Sequence, residues 1–382
     1  MTDSYPDVLS GMYAARPEQV FTVMRAALAA HQLQAQLWLV DYQQTTLCRV
    51  DDVAEPARIG VTDSVPGRVF ISGRRAVVVG DGTVVVYVPV NNHGARLGIL
   101  QLQAAAVPSE TALTGLADAA EILGRLLAVA GRFTDHFEEY RRSRAFTLAA
   151  EIQWALLPAT AHVESRFSVA GMLEPAYSVA GDAYDWSINA DTLTIAVCDG
   201  TRRGVPASLA TALCLTALRN ARLAGVSLRD QAELADQALF AHFSGGTYVA
   251  ASLIQLDLTR GLAVAIDAGS PLIYRVRSGY VTKLALEAEL PLGMFDESKY
   301  REQELDAVPG DRLVVVSDGV HGATGSTETF GTMALSEAIA ASANASPHEA
   351  TRLIIGALHQ HHSGDLDDDA VVLTIDWHSS PA

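Results

Sequence analysis

Two aspartates stand at the ends of a hairpin-like stretch in the second half of the chain. Residues 182–199 read DAYDWSINADTLTIAVCD, in which aromatic and branched aliphatic residues favour β-strand. The tetrapeptide NADT at 189–192 is typical of a hairpin turn. If its first and last residues pair, the register sets Asp182 directly opposite Asp199 on one face of the sheet. Because facing carboxylates repel each other, the pattern predicts a divalent cation between them.

Two further acidic sites follow the same logic. Asp318 follows the apolar stretch 313–316, and the aspartate triplet 367–369 precedes the apolar stretch 370–377. If these two strands are antiparallel, the end of one and the start of the other lie at the same edge. Four acidic sites would then converge, and their oxygen ligands favour Mg²⁺ or Mn²⁺, two of which can clamp a phosphate. The alternative is that these aspartates end strands as solvated turn residues.

The composition predicts a folded chain of more than one domain. It has 382 residues, of which 49% are hydrophobic and 19% charged, enough to bury a sizeable core. The net charge of −17 argues against nucleic acid or an anionic membrane as partner. The three cysteines lack CxxC spacing, which predicts a reducing compartment and no disulfide framework. No signal peptide or membrane-spanning run is evident, so we expect a cytoplasmic protein.

The periodicity of the chain predicts an α+β protein of three segments. Residues 1–130 form a mixed α/β domain, in which the stretch RVF at 68–70 is expected to be strand. Residues 131–160 form a charged helical connector, which suits either pairing with a second helix or packing on its own domain. Residues 161–382 alternate long strands with helical blocks, which predicts a sandwich of antiparallel sheets flanked by helices.

Several short motifs stand in a fixed order along the second half of the chain. They are IQWALLP (152–158), EPAYSVAGDAYD (174–185), CDGTRRGVPA (198–207), DAGSP (267–271), PLG (291–293), SDG (317–319) and DDAV (368–371). In type, order and spacing they resemble the motifs of the SpoIIE/RsbU branch of the metal-dependent PPM serine/threonine phosphatases. The resemblance covers Arg166 to Trp377, more than half of the chain, and implies the two-sheet sandwich of that family.

The resemblance implies a ligand set for two Mn²⁺ or Mg²⁺ ions. The ligands would be the carboxylates of Asp182, Asp199, Asp318 and Asp368 and the backbone carbonyl of Gly200. Asp185 matches a frequent family residue, which we expect behind the ligands. Asp367 and Asp369 flank Asp368 and would exchange roles with it if the alignment is shifted by one residue.

The chain departs from the family pattern at four positions, none of them a predicted ligand. Ala180 and Arg202 replace glycines, Ser270 replaces a histidine and Val371 replaces a threonine. Arg202 lies beside Asp199, where its guanidinium could grip a substrate phosphate through two hydrogen bonds. The alternative is that Arg202 is a solvated loop residue. The substitution also alters the geometry of the turn, and with it the fit of a substrate.

The activity implied by the resemblance is hydrolysis of phosphoserine or phosphothreonine in one step. A metal-bound hydroxide would attack phosphorus without a covalent enzyme intermediate. The family substrate is a phosphorylated anti-sigma-factor antagonist of a bacterial partner-switching pathway. The alternative is a catalytically weak or inactive domain that regulates partners by binding them.

The first half of the chain resembles a GAF domain. The blocks QLWLVDYQQTTL (36–47), SVPGRVFISGRRAVVV (64–79) and YVPVNNHGARLGILQLQ (87–103) fit that family's sheet, middle segment and closing hairpin. The resemblance implies a small-molecule ligand or a homodimer, whose state the connector would pass to the phosphatase. A ligand-free dimerisation domain is an equal alternative, because no side chain marks a bound cofactor.

Overall fold

The computed structural model of the chain describes residues 5–51, 55–80, 82–175, 177, 181–324, 329–362, 366 and 368–379. The chain divides into two compact units, Met1–Ala145 and Phe146–Ala382. In the part of the chain described, no helix is both long and apolar enough to cross a membrane.

The first unit is a six-stranded antiparallel sheet with helices on both faces. Its helices are α1 (Pro6–Ala14), α2 (Val20–Ala30), α3 (Val65–Ser72), α4 (Glu110–Ala130) and α5 (His136–Arg141). Its strands are β1 (Gln34–Val40), β2 (Thr46–Arg49), β3 (Arg58–Gly60), β4 (Ala76–Gly80), β5 (Thr83–Asn92) and β6 (Ala95–Ala104), in the spatial order β3-β2-β1-β6-β5-β4.

Strand β1 shows how the sheet is covered on both faces. Leu37 and Leu39 pack with residues of α1, α2 and α4, whereas Trp38 and Val40 pack with residues of α3. Successive side chains of a strand point to opposite faces, so residues 37–40 of this central strand are all apolar and buried.

The stretch 68–70, predicted to be strand, lies in helix α3. Ser64 caps the helix by accepting a hydrogen bond from the backbone N–H of Gly67 at 3.0 Å. Gly73 ends it in the left-handed region, at φ 66°. Capping at both ends outweighs the strand preference of Val69 and Phe70, which is why the prediction from residue type was wrong.

The predicted connector at 131–160 contains two short helices rather than one continuous helix. They are α5 and α6 (Leu148–Leu156), and each belongs to a different unit. Between them Arg142 and Thr147 adopt extended backbone, and Thr147 caps α6 by accepting a hydrogen bond from Ala150 N–H at 3.2 Å. No proline or glycine marks this interruption in the sequence.

The second unit is a sandwich of two antiparallel sheets with helices outside, which confirms the predicted sandwich. The helices after α6 are α7 (Val205–Leu223), α8 (Leu228–Phe243), α9 (Asp318–His321), α10 (Thr332–Ala341) and α11 (Pro347–His361). The five-stranded sheet has the order β15-β12-β11-β10-β9, with β9 (Ala183–Asn189), β10 (Thr192–Gly200), β11 (Val249–Asp257), β12 (Leu262–Ala268) and β15 (Gln303–Glu304). The six-stranded sheet has the order β14-β13-β16-β17-β8-β7, with β7 (Ala161–Val163), β8 (Phe167–Glu174), β13 (Leu272–Arg277), β14 (Tyr280–Leu284), β16 (Arg312–Val316) and β17 (Ala370–Trp377).

Three apolar layers hold this sandwich together. Ile195 and Ile254 of one sheet pack with Leu313 and Leu373 of the other in the central layer. Helices α7 and α8 cover the outer face of the five-stranded sheet, and α10 and α11 cover that of the six-stranded sheet. Strands buried on both faces explain the near-continuous apolar runs of the sequence.

The strand registers agree with the sequence analysis. In the β9–β10 hairpin Asn189 pairs with Thr192 and Ala183 pairs with Cys198. One step further the same register sets Asp182 opposite Asp199. Strands β16 and β17 are antiparallel, with Val316 opposite Val372, so Asp318 lies at the same edge of their sheet as Asp368 and Asp369.

Candidate metal centre

Three predicted ligands meet at one end of the sandwich. Asp182 immediately precedes β9, Asp199 lies near the end of β10, and Asp318 follows β16 by two residues. One carboxylate oxygen of each lies within 4.8 Å of the corresponding oxygens of the other two. We call these three residues the carboxylate trio; it draws on both sheets, and Asp368 lies outside it.

Asp182 is the most deeply buried member of the trio, with 3% of its surface exposed. Its Oδ2 atom is buried without a hydrogen-bond partner among the described residues. Burial, followed by the charges of Asp199 and Asp369, raises the pKa of Asp182 well above its usual range. A buried carboxylate oxygen without a donor is costly unless a cation binds it, so this atom has the environment of a metal ligand.

The other two members share this electrostatic strain. Burial raises the pKa of Asp199 to about 6, and the charges of Asp318 and Asp368 add to the rise. A hydrogen bond donated by the Ser270 hydroxyl to Asp199 opposes it. Burial and the charge of Asp368 also raise the pKa of Asp318. Asp368 therefore lies close enough to act on the trio electrostatically, and a divalent cation would offset the repulsion.

Buried side chains of α6 and α7 hold the backbone that carries Asp182. Gln153 of α6 is fully buried, and its Nε2 donates to the carbonyl oxygen of Asp182. The Oε1 atom of Gln153 accepts a hydrogen bond from Ser208 Oγ at 3.3 Å. Thr211 Oγ1 donates to the Gly181 carbonyl at 2.6 Å. The motif IQWALLP contained Gln153, but nothing in its spacing showed this contact.

Asp369 anchors the same backbone from the other sheet. It is 1% exposed, and its Oδ2 accepts hydrogen bonds from Gly181 N at 2.6 Å and Asp182 N at 3.0 Å. A Cβ at Gly319 would lie 1.7 Å from the Asp369 carbonyl oxygen, so only glycine fits after Asp318. The sequence analysis left open an exchange between Asp369 and Asp368; Asp367, its third candidate, lies outside the described residues.

Asp185 faces helix α7. Its buried carboxylate forms ion pairs with Arg219 at 2.7 Å and Arg222 at 3.0 Å. Arg219 also donates to the Leu156 carbonyl at 2.6 Å, which ties α6 to α7. A place for Asp185 behind the ligands, like the Gly200 carbonyl as a ligand, stays a prediction.

The turn after Asp199 carries two arginines in different settings. Arg202 has φ 81°, a left-handed conformation that explains why the family has glycine here. Its guanidinium donates to the Gly246 carbonyl from Nε at 3.2 Å and Nη2 at 3.0 Å. Arg203 instead lies with Nη2 3.6 Å from Asp368 Oδ2. A phosphate grip by Arg202 stays a prediction, and it would require giving up the bonds to Gly246.

We expect Gln153→Leu to weaken Mn²⁺ binding by roughly 10- to 100-fold, the usual loss when a residue supporting a metal ligand is removed. The substitution deletes the donor that fixes the Asp182 backbone. Isothermal titration calorimetry of the full chain measures the effect. Gln231→Leu is the matched control, because Gln231 is also buried and donates to a backbone carbonyl, that of Val226, at 3.0 Å. Equal Mn²⁺ affinity in the two variants would contradict the prediction.

Comparisons with known proteins agree with this geometry. Residues 189–378 match the family model of stage II sporulation protein E (SpoIIE). This part of the chain is a SpoIIE-family domain. No curated protein matches the chain.

Two solved structures resemble the fold of a part of the chain larger than the SpoIIE-family domain. The SiaA PP2C domain of Pseudomonas aeruginosa has a TM-score of 0.51 and 24% identity, covering 60% of this chain and 93% of its own. The PP2C phosphatase domain of SpoIIE from Bacillus subtilis, with a fragment of its regulatory domain, has a TM-score of 0.50 and 13% identity. That match covers 79% of this chain and 82% of its own. The shared fold is that of the PPM phosphatases.

The carboxylate trio of the SpoIIE-family fold fits a hard divalent cation. All its donors are carboxylate oxygens, which suit Mg²⁺ or Mn²⁺ better than Zn²⁺. PPM phosphatases use divalent metals, and the trio with its buried Asp182 oxygen is compatible with that chemistry. Neither the identity nor the number of ions follows from the trio alone.

Proposed function

We propose that the second unit is a metal-dependent protein phosphatase that hydrolyses phosphoserine and phosphothreonine. The observation that carries the proposal is the convergence of Asp182, Asp199 and Asp318 in a fold that contains a SpoIIE-family domain. In this proposal Asp368 and the Gly200 carbonyl complete the ligands of two Mn²⁺ or Mg²⁺ ions. The charge of Asp368 on Asp199 and Asp318 supports its inclusion.

The residues of the chain would orient the reacting groups. When bound, the cations would activate water and neutralise charge on the phosphoryl oxygens. Ser270 holds the Asp199 carboxylate through its hydroxyl, and Asp369 and Gln153 hold the backbone of Asp182. No side-chain nucleophile is required, in keeping with three cysteines that are all buried.

The proposal extends to the partner and the regulation of the domain. The resemblance to the SpoIIE/RsbU branch supports a phosphorylated anti-sigma-factor antagonist as substrate, in a partner-switching pathway. The first unit would act as a GAF domain that binds a small molecule or holds a homodimer. A cytoplasmic location belongs to the same proposal and is favoured by the three free cysteines.

The deciding experiment is hydrolysis of p-nitrophenyl phosphate and of a phosphoserine protein by the full chain, with and without Mn²⁺ or Mg²⁺. We expect turnover of both compounds with either cation and its loss after chelation with EDTA, because the carboxylates of the trio would repel a phosphate unless a cation neutralised them. If the protein binds the cation but turns over neither compound, the phosphatase proposal fails. The regulatory binding protein would then be the better description.

A further inference from the structure

A cleft of about 410 Å³ opens beside the carboxylate trio. Asp318 belongs to both the trio and the wall of the cleft, and Asp368 lines it as well. Its other lining residues include Arg203, His321, His362 and Leu366. The volume falls in the range of sites that bind whole small ligands, so it offers room beyond a single phosphoryl group.

Arg203 supplies the positive charge of this cleft. Its Nη2 lies 3.6 Å from Asp368 Oδ2, and the two side chains are 66% and 45% exposed. So exposed a pair contributes little net attraction. Within the described parts of the chain Arg203 has no other hydrogen-bond or ion-pair partner. Its neighbour Arg202 differs, because its guanidinium is bound to the Gly246 carbonyl.

The two histidines of the cleft are oriented by backbone carbonyls. His321 Nε2 lies 3.4 Å from the Ser270 oxygen, and His362 Nδ1 lies 2.9 Å from the Thr324 oxygen. Leu366 adds an apolar surface to the lining of the cleft. Oriented imidazoles, an apolar side chain and a weakly paired arginine together suit a peptide that carries an anionic side chain.

We propose that this cleft binds the substrate residues next to the phosphorylated one, and that Arg203 selects an aspartate or glutamate there. The inference rests on the proposed phosphatase function. The cations of that proposal would engage the Asp368 carboxylate, leaving Arg203 to pair with a carboxylate of the substrate. The chain has 44 acidic and 27 basic residues, so most of its surface repels an acidic peptide. An arginine at this position attracts such a peptide to the cleft in particular.

The test compares phosphoserine peptides that differ only in carrying aspartate or lysine beside the phosphoserine, on either side. For the wild-type chain with Mn²⁺ we expect the aspartate peptide to have a kcat/KM about three- to tenfold higher. We expect Arg203→Glu to reverse the preference. Each ratio is taken within one variant, so a loss of folding or of cation lowers both rates and leaves the ratio unchanged. The preference should shrink at high salt.

Arg260→Glu is the matched control. Arg260 is 76% exposed and pairs as loosely, with Nε 3.8 Å from Asp257 Oδ2. It lies beyond the far end of β11, where Asp257 pairs with Thr192, whereas Ala250 at the other end pairs with Asp199. This variant should keep the wild-type ratio. A wild-type ratio near one, or equal ratios in the two variants, would overturn the inference.

Binding of the unphosphorylated peptides, measured by fluorescence anisotropy, separates this inference from the function on which it rests. Binding that prefers aspartate and is reversed in Arg203→Glu, without turnover of any substrate, supports the acidic-peptide cleft and refutes the phosphatase. Turnover of phosphopeptides without any preference, in rate or in binding, supports the phosphatase and refutes the cleft.

Discussion

Replacing Asp199 by asparagine is expected to lower metal-dependent turnover by at least about a hundredfold, more than the loss typical of removing a residue that only supports a ligand. Asp199 lies close to the acidic residues of the other sheet, since Asp318 and Asp368 both raise its pKa. Asparagine keeps the shape of the side chain, but it removes the negative charge and replaces one carboxylate oxygen with an amide nitrogen that cannot bind a cation. The measurements are kcat for p-nitrophenyl phosphate and the Mn²⁺ affinity by calorimetry.

The matched control for this substitution is Asp191→Asn, at the other end of the same hairpin. Asp191 pairs with Arg166 at 2.6 Å, and its side chain is 59% exposed. An exposed pair of this kind contributes at most about 1 kcal/mol, so activity and Mn²⁺ affinity should stay close to wild type. If Asp199→Asn retained wild-type turnover, the trio would not be the reaction centre.

The sequence predicted the carboxylates of this site better than the contacts that hold them. The hairpin register follows from a turn of four residues. Because β9 and β10 pair without a shift, the same register extends from Asn189 to Asp182. The edge that Asp318 shares with Asp368 and Asp369 follows from antiparallel pairing alone. Regular strand pairing was therefore enough to predict that Asp182, Asp199 and Asp318 lie close together.

The supporting contacts could not be predicted because they join distant segments through single buried hydrogen bonds. Gln153 and Asp182 are 29 residues apart, and Asp369 and Asp182 are 187 apart. Neither contact follows a periodic pattern in the chain. Ser270 was noticed only as a departure from the family, yet its hydroxyl contacts Asp199. Helix α3 was missed for a different reason, since its caps outweigh the residue preferences on which the prediction relied.

The cation-free protein is expected to gain stability as pH falls from about 7 towards 4, relative to Asp199→Asn. The folded-state pKa of Asp199 is raised to about 6 from 3.8, chiefly by burial and then by Asp318 and Asp368. A carboxyl group with a raised pKa stabilises the fold when it is protonated, and this stabilisation is lost as pH rises through the folded pKa. For Asp199 alone the change is on the order of 3 kcal/mol.

Asp182 and Asp318, whose pKa values burial also raises, contribute the same trend to both proteins, so their own contribution cancels in the comparison. Thermal unfolding after EDTA treatment, at a series of pH values, measures the difference between wild type and variant. Comparing the two proteins at each pH cancels the opposite contribution of carboxyl groups elsewhere, such as Asp7 and Asp306, whose pKa values are lowered by their hydrogen-bond partners. A difference that did not vary with pH would contradict the prediction.

Mn²⁺ should also relieve the repulsion among the carboxylates of the trio, by binding their ionised forms. At pH 7 the trio is ionised to a greater extent than at pH 5, and a bound cation neutralises its charge. Because the cation binds only the folded chain, Tm should rise with Mn²⁺ concentration. At pH 5 protons compete for the same oxygens, and the rise in Tm should be smaller because the raised pKa values keep the ligands protonated. Asp199→Asn should show little rise at either pH. An equal Mn²⁺ effect at both pH values in wild type would mean that the cation binds elsewhere than at the trio.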